Sequence, residues 1–266
     1  MNKIVRKEKL AENTYLIEVE APDIAKKAQP GQFVVLRISE TGERIPLTIA
    51  DYSKKTITLV VLVVGKTTEE LAKLRKNEFI PDIAGPLGNK SESIQYGSVC
   101  LVGGGLGIAP IYPIARALKK ENELAIIIGA KNKSYLFWED RFRKLTKNLV
   151  VCTDDGSKGL HGFVSDALKK LMEERGFNLV IAIGPPVMMK AVAGITQDRI
   201  KTKVSLNPLM VDGIGMCGGC RVVVNNRVRF ACSDGPEFDA HAVDWDELIS
   251  RNKTYAEEEG LCKKQC

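Results

Sequence analysis

The chain has 266 residues, 44% hydrophobic and 27% charged, with 39 basic and 33 acidic side chains and a net charge of +6. This is the composition of an ordinary globular protein of one large domain or two to three small ones. It has no apolar run of the ~20 residues that cross a bilayer and no apolar signal core behind Met1. Its basic residues are too dispersed for a nucleic-acid surface, so a cytoplasmic protein meeting neither membrane nor nucleic acid is expected.

Residues 1–95 read as a small β-barrel. Thr14-Tyr-Leu-Ile-Glu-Val-Glu20 alternates apolar and polar side chains, and Gln32-Phe-Val-Val-Leu-Arg-Ile38 and Thr56-Ile-Thr-Leu-Val-Val-Leu-Val-Val64 are rich in β-branched residues. Pro30-Gly31 and Gly85-Pro86-Leu87-Gly88 punctuate the strands, and residues 67–76 have a helical pattern. Arg44-Ile-Pro-Leu-Thr-Ile49 follows a strand and offers a guanidinium suited to phosphate and the Thr48 hydroxyl. Val63-Val-Gly-Lys-Thr-Thr68 leads into the helix and offers a second phosphate contact.

Residues 96–205 change to a doubly wound parallel α/β pattern. Buried-strand runs at 98–102, 124–128, 149–152 and 179–183 alternate with amphipathic helices at 110–119 and 163–175. Three loops follow strands here: Gly103-Gly-Gly-Leu-Gly-Ile-Ala-Pro110, Thr153-Asp-Asp-Gly-Ser157 and Gly184-Pro-Pro-Val-Met-Met189. Carboxyl ends of strands in one open sheet face one crevice, where ligands bind. The glycine run admits a pyrophosphate to the backbone at a helix N-terminus, though its spacing departs from the dinucleotide fingerprint. The bland readings are a tight βα turn for the glycines and core packing for the methionines.

Residues 206–266 hold Asp212-Gly-Ile-Gly-Met-Cys217-Gly-Gly-Cys220, a hairpin turning at Asn225-Asn226, Cys232, a charged helix at 244–259 and a tail carrying Cys262 and Cys266. The hairpin returns Cys232 toward Cys220. With cysteine at the first position this would be the plant-type iron–sulfur spacing, C-x4-C-x2-C and a distant cysteine. Asp212 stands there instead, a harder oxygen donor. A [2Fe–2S] cluster with an aspartate or a borrowed fourth ligand, a structural zinc and a redox CxxC are the readings open to this stretch, and the spacing favours the cluster. Seven cysteines, unevenly placed, fit metal binding in a reducing compartment better than a disulfide framework. Cys100 and Cys152, in or at the end of buried strands, read as structural; of the two histidines, His161 and His241, His161 lies in the loop beginning at Thr153 and reads as a surface residue, with a cofactor contact as the alternative.

Taken in order, R-x-P-L-T, G-P-L-G, G-G-G-x-G-x-A-P, D-D-G, G-P-x-x-M-M and the cysteine loop resemble the ferredoxin–NADP reductase superfamily. The resemblance covers nearly the whole chain and is strongest to the iron–sulfur flavoprotein branch that contains the electron-transfer subunit of dihydroorotate dehydrogenase. It implies three domains: an FAD-binding barrel (1–95), an NAD-binding α/β domain (96–205) and a [2Fe–2S] domain (206–266). It implies FAD contacts at Arg44, Pro46, Leu47, Thr48, Leu62, Val63, Val64, Thr67 and Thr68. The nicotinamide nucleotide would meet Gly103, Gly104, Gly105, Gly107, Ala109, Pro110, Asp154, Asp155, Gly156, Gly184, Pro185, Met188 and Met189. Asp212, Cys217, Cys220 and Cys232 would hold the cluster. The superfamily's arginine sits three residues before its Ser/Thr; here that place is Ile45, with Arg44 one residue earlier, and Leu47 supplies an aliphatic contact where an aromatic is expected.

Plant-type reductases carry a Ser-Arg pair near the place of Asp154 and Asp155. Two carboxylates repel a 2′-phosphate and accept hydrogen bonds from ribose hydroxyls, so NAD(H) is expected, although Lys131 and Lys133 follow a neighbouring strand. Asp212 looks like the small subunit of NADH-dependent ferredoxin:NADP oxidoreductases, whereas the dihydroorotate branch has cysteine there. The resemblance thus implies a heterodimer with a large iron–sulfur flavoprotein subunit, reaching ferredoxin through that partner, and chemistry that needs no side-chain acid or base. The electron-transfer subunit of dihydroorotate dehydrogenase and a zinc-stabilised binding module are the alternatives.

Overall fold

The computed structural model describes residues 2–254. Cys262 and Cys266, and the part of the expected 244–259 helix beyond Thr254, lie outside the described residues. The described residues form two compact units: residues 2–90 with 207–236 and 244–254, and residues 91–206 with 237–243.

The first unit is built on β1 (Asn2–Ala11), β2 (Thr14–Glu20), β3 (Phe33–Arg37), β4 (Ile45–Tyr52), β5 (Thr56–Leu62), β6 (Phe79–Ile80) and β7 (Asp82–Leu87), with α1 (Pro22–Ala25) after β2 and α2 (Lys66–Lys73) after β5. Their order is β6-β1-β2-β5-β4-β3-β7, antiparallel at every step. The two end strands, β6 and β7, are separated in the chain by Pro81 alone, so the sheet must curl nearly shut. Inside lie Ile4, Ile17, Val19, Val34, Leu36, Ile49, Ile57, Leu59, Val61 and Ile80, all buried. Each such side chain contributes about 1.5–3 kcal/mol by leaving water. From Ile45 onward the Arg44–Ile49 stretch is itself a strand, β4, paired with β3 through Leu36↔Ile45 and Phe33↔Thr48. β4 escaped the sequence reading because Pro46 sits where a central strand rarely tolerates it.

The cysteine loop and the hairpin belong to this unit. β8 and β9 of the hairpin (Arg221–Val224 and Arg227–Phe230) pair antiparallel. Asn225 and Asn226 have φ of 51° and 56°, the left-handed pair of a type I′ turn. The charged helix begins at Trp245 and runs to Arg251 (α3), capped by the Asp244 carboxylate, which accepts from Glu247 N–H at 3.0 Å.

In the second unit β10 (Ser98–Gly104), β11 (Glu123–Ala130), β12 (Asn148–Thr153), β13 (Leu160–His161), β14 (Leu179–Ile183), β15 (Lys201–Ser205) and β16 (Glu237–Asp239) form one sheet. The order is β13-β12-β11-β10-β14-β15-β16; every pair is parallel except β15 with β16. Helices α4 (Ile108–Leu118), α5 (Glu139–Arg143), α6 (Val164–Glu174) and α7 (Pro186–Thr196) make the connections. The chain steps outward from β10 to β13, then returns to β14 on the other side of β10. This reversal is the topological switch point, where ligands of open α/β sheets bind. Residues 237–243 come back to this sheet after the hairpin, and β16 covers the outer edge of β15.

Candidate functional site

The nucleotide crevice is shaped by backbone proximity. Gly103 and Gly104 still belong to β10, and Gly105–Gly107 make one 3-10 turn before α4 starts at Ile108, so Ala109 and Pro110 occupy its first turn. A Cβ on Gly107 would lie 2.0 Å from Ile183 O, and one on Gly104 would lie 2.3 Å from Met188 Sδ. At Gly107 the obstruction is backbone, so that position requires glycine, whereas at Gly104 it is the Met188 side chain; the loops after β10 and β14 are pressed together at the switch point. Pro110 has no N–H and the Ile108 N–H donates into the preceding 3-10 turn, to Gly105 and Leu106 O, so what the α4 N-terminus offers a pyrophosphate is chiefly its dipole. Gly184 follows β14, and Pro185 precedes α7. Met188 is half-buried over Gly104 and Gly184, whereas Met189 is only 2% exposed and packs into the core.

Asp154 and Asp155 project from the end of β12, held by Asp154 N–H to Ala130 O (3.1 Å) and Asp155 N–H to Lys131 O (3.2 Å). Burial, then the charge of Asp155, raises the Asp154 carboxyl above its usual value, with Lys131 opposing. The Ser157 hydrogen bonds lower that of the fully exposed Asp155. One carboxylate thus sits in a drier place than its neighbour. Gly156 turns at φ +73°, and a Cβ there would meet the His161 ring at 3.1 Å. His161, exposed on β13, stands over the aspartate turn, beside the loop from Thr153 to which the sequence assigned it. Lys133 N–H donates to Ser157 Oγ at 2.8 Å, tying the lysine-bearing loop to the same rim.

In the barrel, Pro46, Leu47 and Thr48 lie half-buried on β4, and Arg44 is exposed just before it. Leu62 ends β5, and Val63 and Val64 lead to α2. The Thr68 hydroxyl accepts from Val64 and Gly65 N–H, both at 3.0 Å, which caps α2, and Thr67 donates to Glu43 Oε2 at 3.1 Å.

The cysteine loop winds around its aspartate. Asp212 Oδ1 accepts from Ile214 N–H at 3.0 Å, and Oδ2 accepts from Met216 and Cys217 N–H at 2.9 and 2.6 Å. Partial burial works against ionisation, but these backbone bonds hold the carboxyl below its usual value. Gly213, at φ +75°, is packed so close to Val35 and Leu87 that a Cβ would come within 2.8 and 2.9 Å of their side chains. Cys220 and Cys232 are buried and unoxidised, their Sγ atoms 3.1 Å apart. Burial, then the neighbouring Cys220, pushes the Cys232 thiol up to about 12. Cys217 is exposed, and Gly219 N–H donates to its Sγ at 3.4 Å. Among the described residues no three candidate ligands converge as a single metal ion would require. A two-iron cluster asks instead for two pairs of donors. Cys220 with Cys232 and Asp212 with Cys217 are such pairs, and a backbone amide already points at one sulfur, so the residues fit the group. Cys100 and Cys152, with thiols pushed to about 12 and about 11 by burial, stand apart in strands.

The iron–sulfur cluster binding domain of dihydroorotate dehydrogenase B matches residues 207–244, and the oxidoreductase NAD-binding domain matches residues 101–194. A Thermotoga maritima protein named dihydroorotate dehydrogenase B (NAD(+)) electron transfer subunit homolog is 49% identical over 265 residues, 98% of this chain and 94% of that one. The electron transfer subunit of dihydroorotate dehydrogenase B from Desulforamulus reducens is 33% identical over 249 residues, 89% and 95% of the two chains. A solved structure of NADH-dependent reduced ferredoxin-NADP oxidoreductase, studied for flavin-based electron bifurcation, superimposes with TM-score 0.94 at 48% identity, covering 100% of this chain and 97% of that one. Phthalate dioxygenase reductase, at 16% identity and TM-score 0.63, shares the fold over 84% of this chain and 86% of its own.

Proposed function

The chain belongs to the electron-transfer-subunit family of dihydroorotate dehydrogenase B, and from that premise we propose that it serves as the small subunit of an NADH-dependent ferredoxin:NADP oxidoreductase. Its domains and reductase fold make FAD, NAD(H) and a [2Fe–2S] cluster its cofactors. The observation that carries the finer reading is the whole-chain match to the ferredoxin-NADP oxidoreductase structure, TM-score 0.94 over 100% of this chain. Asp212, standing where the dihydroorotate branch has cysteine, supports the same choice.

Bound together, these groups convert a two-electron hydride donor into single-electron steps. The protein's part is to bind and orient. The Gly103–Gly107 backbone, at the positive end of the α4 dipole, takes the nucleotide pyrophosphate. Asp154 and Asp155 accept hydrogen bonds from ribose hydroxyls and repel a 2′-phosphate, selecting NAD(H). Thr48 and its β4 neighbours, with Arg44 and the start of α2, take the flavin. Asp212, Cys217, Cys220 and Cys232 hold the cluster, and the partner is a large iron–sulfur flavoprotein that passes electrons to ferredoxin.

Native purification with iron, sulfide and flavin analysis of every copurifying chain tests this. A second, larger iron–sulfur flavoprotein is the expected result. The family names of the cluster domain and of the T. maritima relative favour a second reading, the electron-transfer subunit of dihydroorotate dehydrogenase. An FMN-containing barrel enzyme as the partner would establish that reading and overturn the first. A colourless zinc protein would overturn both.

A further inference from the structure

Cys232 is the candidate ligand that the Asp212–Cys220 loop does not carry. It arrives at the end of the hairpin, twelve positions after Cys220. The chain winds tightly there. Ser233 and Asp234 N–H both donate to Phe230 O, at 3.1 and 2.7 Å, and the Asp234 carboxylate accepts from Phe230 N–H at 2.7 Å. Gly215 meets this turn directly: its N–H donates to the Cys232 sulfur, and a Cβ on it would lie 2.8 Å from Ser233 Oγ.

The carbonyls that follow Cys232 go to one residue of the barrel, Asn89, two positions beyond β7. Its backbone N–H donates to Gly235 O at 2.7 Å, and its side-chain amide donates to Ser233 O at 3.1 Å and Asp234 O at 2.9 Å. Each of its three N–H hydrogens thus meets one of three successive carbonyls. The pair of carbonyl oxygens also fixes the amide's orientation, because its own oxygen there would face oxygen. Asn89 is itself anchored. Gln32 Nε2 donates to Gly88 O at 2.9 Å, and a Cβ on Gly88, at φ +74°, would come within 2.8 Å of the Phe33 ring and 3.0 Å of Pro236 Cδ. Phe33 pairs with Leu87 and with Thr48. The Cys232 arm is therefore tied to the β3–β7 pair, on which Gly213 is seated through Val35 and Leu87.

Asn89 is exposed, so water can satisfy the same carbonyls after its loss. The fold does not depend on it. Water cannot supply a fixed direction for three consecutive peptide groups beside a metal ligand. We propose that Asn89 is a positioning residue for the cluster, holding the Cys232 arm in the orientation that sets the lifetime and the electronic character of the bound group. This rests on reading Asp212, Cys217, Cys220 and Cys232 as the ligand set. Groups that orient a ligand from behind matter about 10–100-fold in metal retention.

The test uses the full cofactor-loaded chain. Asn89→Asp keeps the shape and the backbone N–H, removes both side-chain donors and sets a carboxylate against two carbonyls. Bleaching of its cluster under excess chelator is expected to run about tenfold faster than in the parent. The electron paramagnetic resonance g values of the dithionite-reduced cluster are expected to shift, and hydrogen exchange at the Ser233 and Asp234 amides to quicken. Asn89→Ala, which adds no charge, is expected to act in the same direction and takes the place of Asn89→Asp if that variant does not fold. Asn122→Asp controls for a merely structural loss. Asn122 also donates to two carbonyls, Ile94 O at 3.0 Å and Leu118 O at 2.9 Å, but in the other unit. This control should lower the melting temperature and leave the cluster's lifetime and spectrum as in the parent. A parent-like lifetime or a parent-like spectrum in the Asn89 variants overturns the proposal. So does an equal change in Asn122→Asp, which would make cluster loss a result of lowered stability alone. A parent chain purified without iron and sulfide instead overturns the cluster reading on which the proposal rests.

Discussion

Gly107→Ala is the sharpest test of the nucleotide crevice. The added Cβ would stand 2.0 Å from Ile183 O, 2.5 Å from Ile183 C and 2.9 Å from Gly184 N, where real Cβ contacts stay beyond about 3.0 Å. The obstructing atoms are backbone, and Ile183 is tied to Gly103 in the β10–β14 ladder, so no side-chain rotation relieves the clash. The loop must move by roughly 1 Å, at a cost of about 2–4 kcal/mol. For a chain of this size that lowers Tm by roughly 5–15 °C. A displacement of ~1 Å in the amides that meet a pyrophosphate also weakens NAD(H) binding, by up to ~100-fold. Gly194→Ala is the matched control: it lies within α7 with nothing inside 4 Å of its added Cβ, so it should be neutral or stabilising by about 0.5–1 kcal/mol. Thermal melting and NAD(H) titration read both variants. A Gly107→Ala protein that melts within a degree of the parent and binds NAD(H) equally would refute the close approach of the two loops and the crevice built on it.

Other predictions follow from the same geometry. Asp212→Cys is expected to retain the cluster and shift its reduction potential, because a thiolate replaces a harder oxygen donor; identical redox titrations of variant and parent would remove Asp212 from the ligand set. The pair Asp154→Ser, Asp155→Arg should move the kcat/KM ratio for NADH over NADPH toward NADPH by at least about tenfold, the value of roughly 1.4 kcal/mol; a parent that already prefers NADPH would refute the assignment of these carboxylates. Burial raises the Glu237 carboxyl above its ordinary 4.5, against the opposing Ser91 hydrogen bond and Lys203 charge. The folded state therefore holds this proton above pH 4.5 while the unfolded state releases it. The resulting stability is full below pH 4.5 and is lost as pH rises through the raised value. Glu237→Gln should remove that decline, seen as the variant-minus-parent difference in melting temperature between pH 4.5 and 7; a constant difference would refute it.

What could be read from the sequence depended on how local the determinant was. β2 runs from Thr14 to Glu20, the alternating stretch, because one face meets the barrel core and the other does not. The Asn225-Asn226 turn was equally legible, since two adjacent asparagines tolerate left-handed backbone. β1 was not: Lys3, Arg6, Lys7 and Lys9 crowd it with charge, and its place is set by pairing with β2. α7 was hidden by Pro185 and Pro186, which read as loop punctuation yet sit at its N-terminus. At the candidate site, the glycine run and the Asp–Cys spacing were visible as residue types. The three amides on Asp212 were not, because they arise only after residues 212–217 coil and Gly213 seats against Val35 and Leu87.

The return of residues 237–243 to the α/β sheet bears on how this chain can be shortened. β16 satisfies the outer edge of β15 through Lys203↔Asp239, Val204↔Phe238 and Ser205↔Glu237. A protein ended at Leu206 would keep every parallel strand yet leave a row of unpaired amides and carbonyls along β15, a template for association with other sheets. A freestanding nucleotide-binding fragment cut there is expected to aggregate. The same fragment with residues 237–243 spliced back by a short linker is expected to remain monodisperse in light scattering.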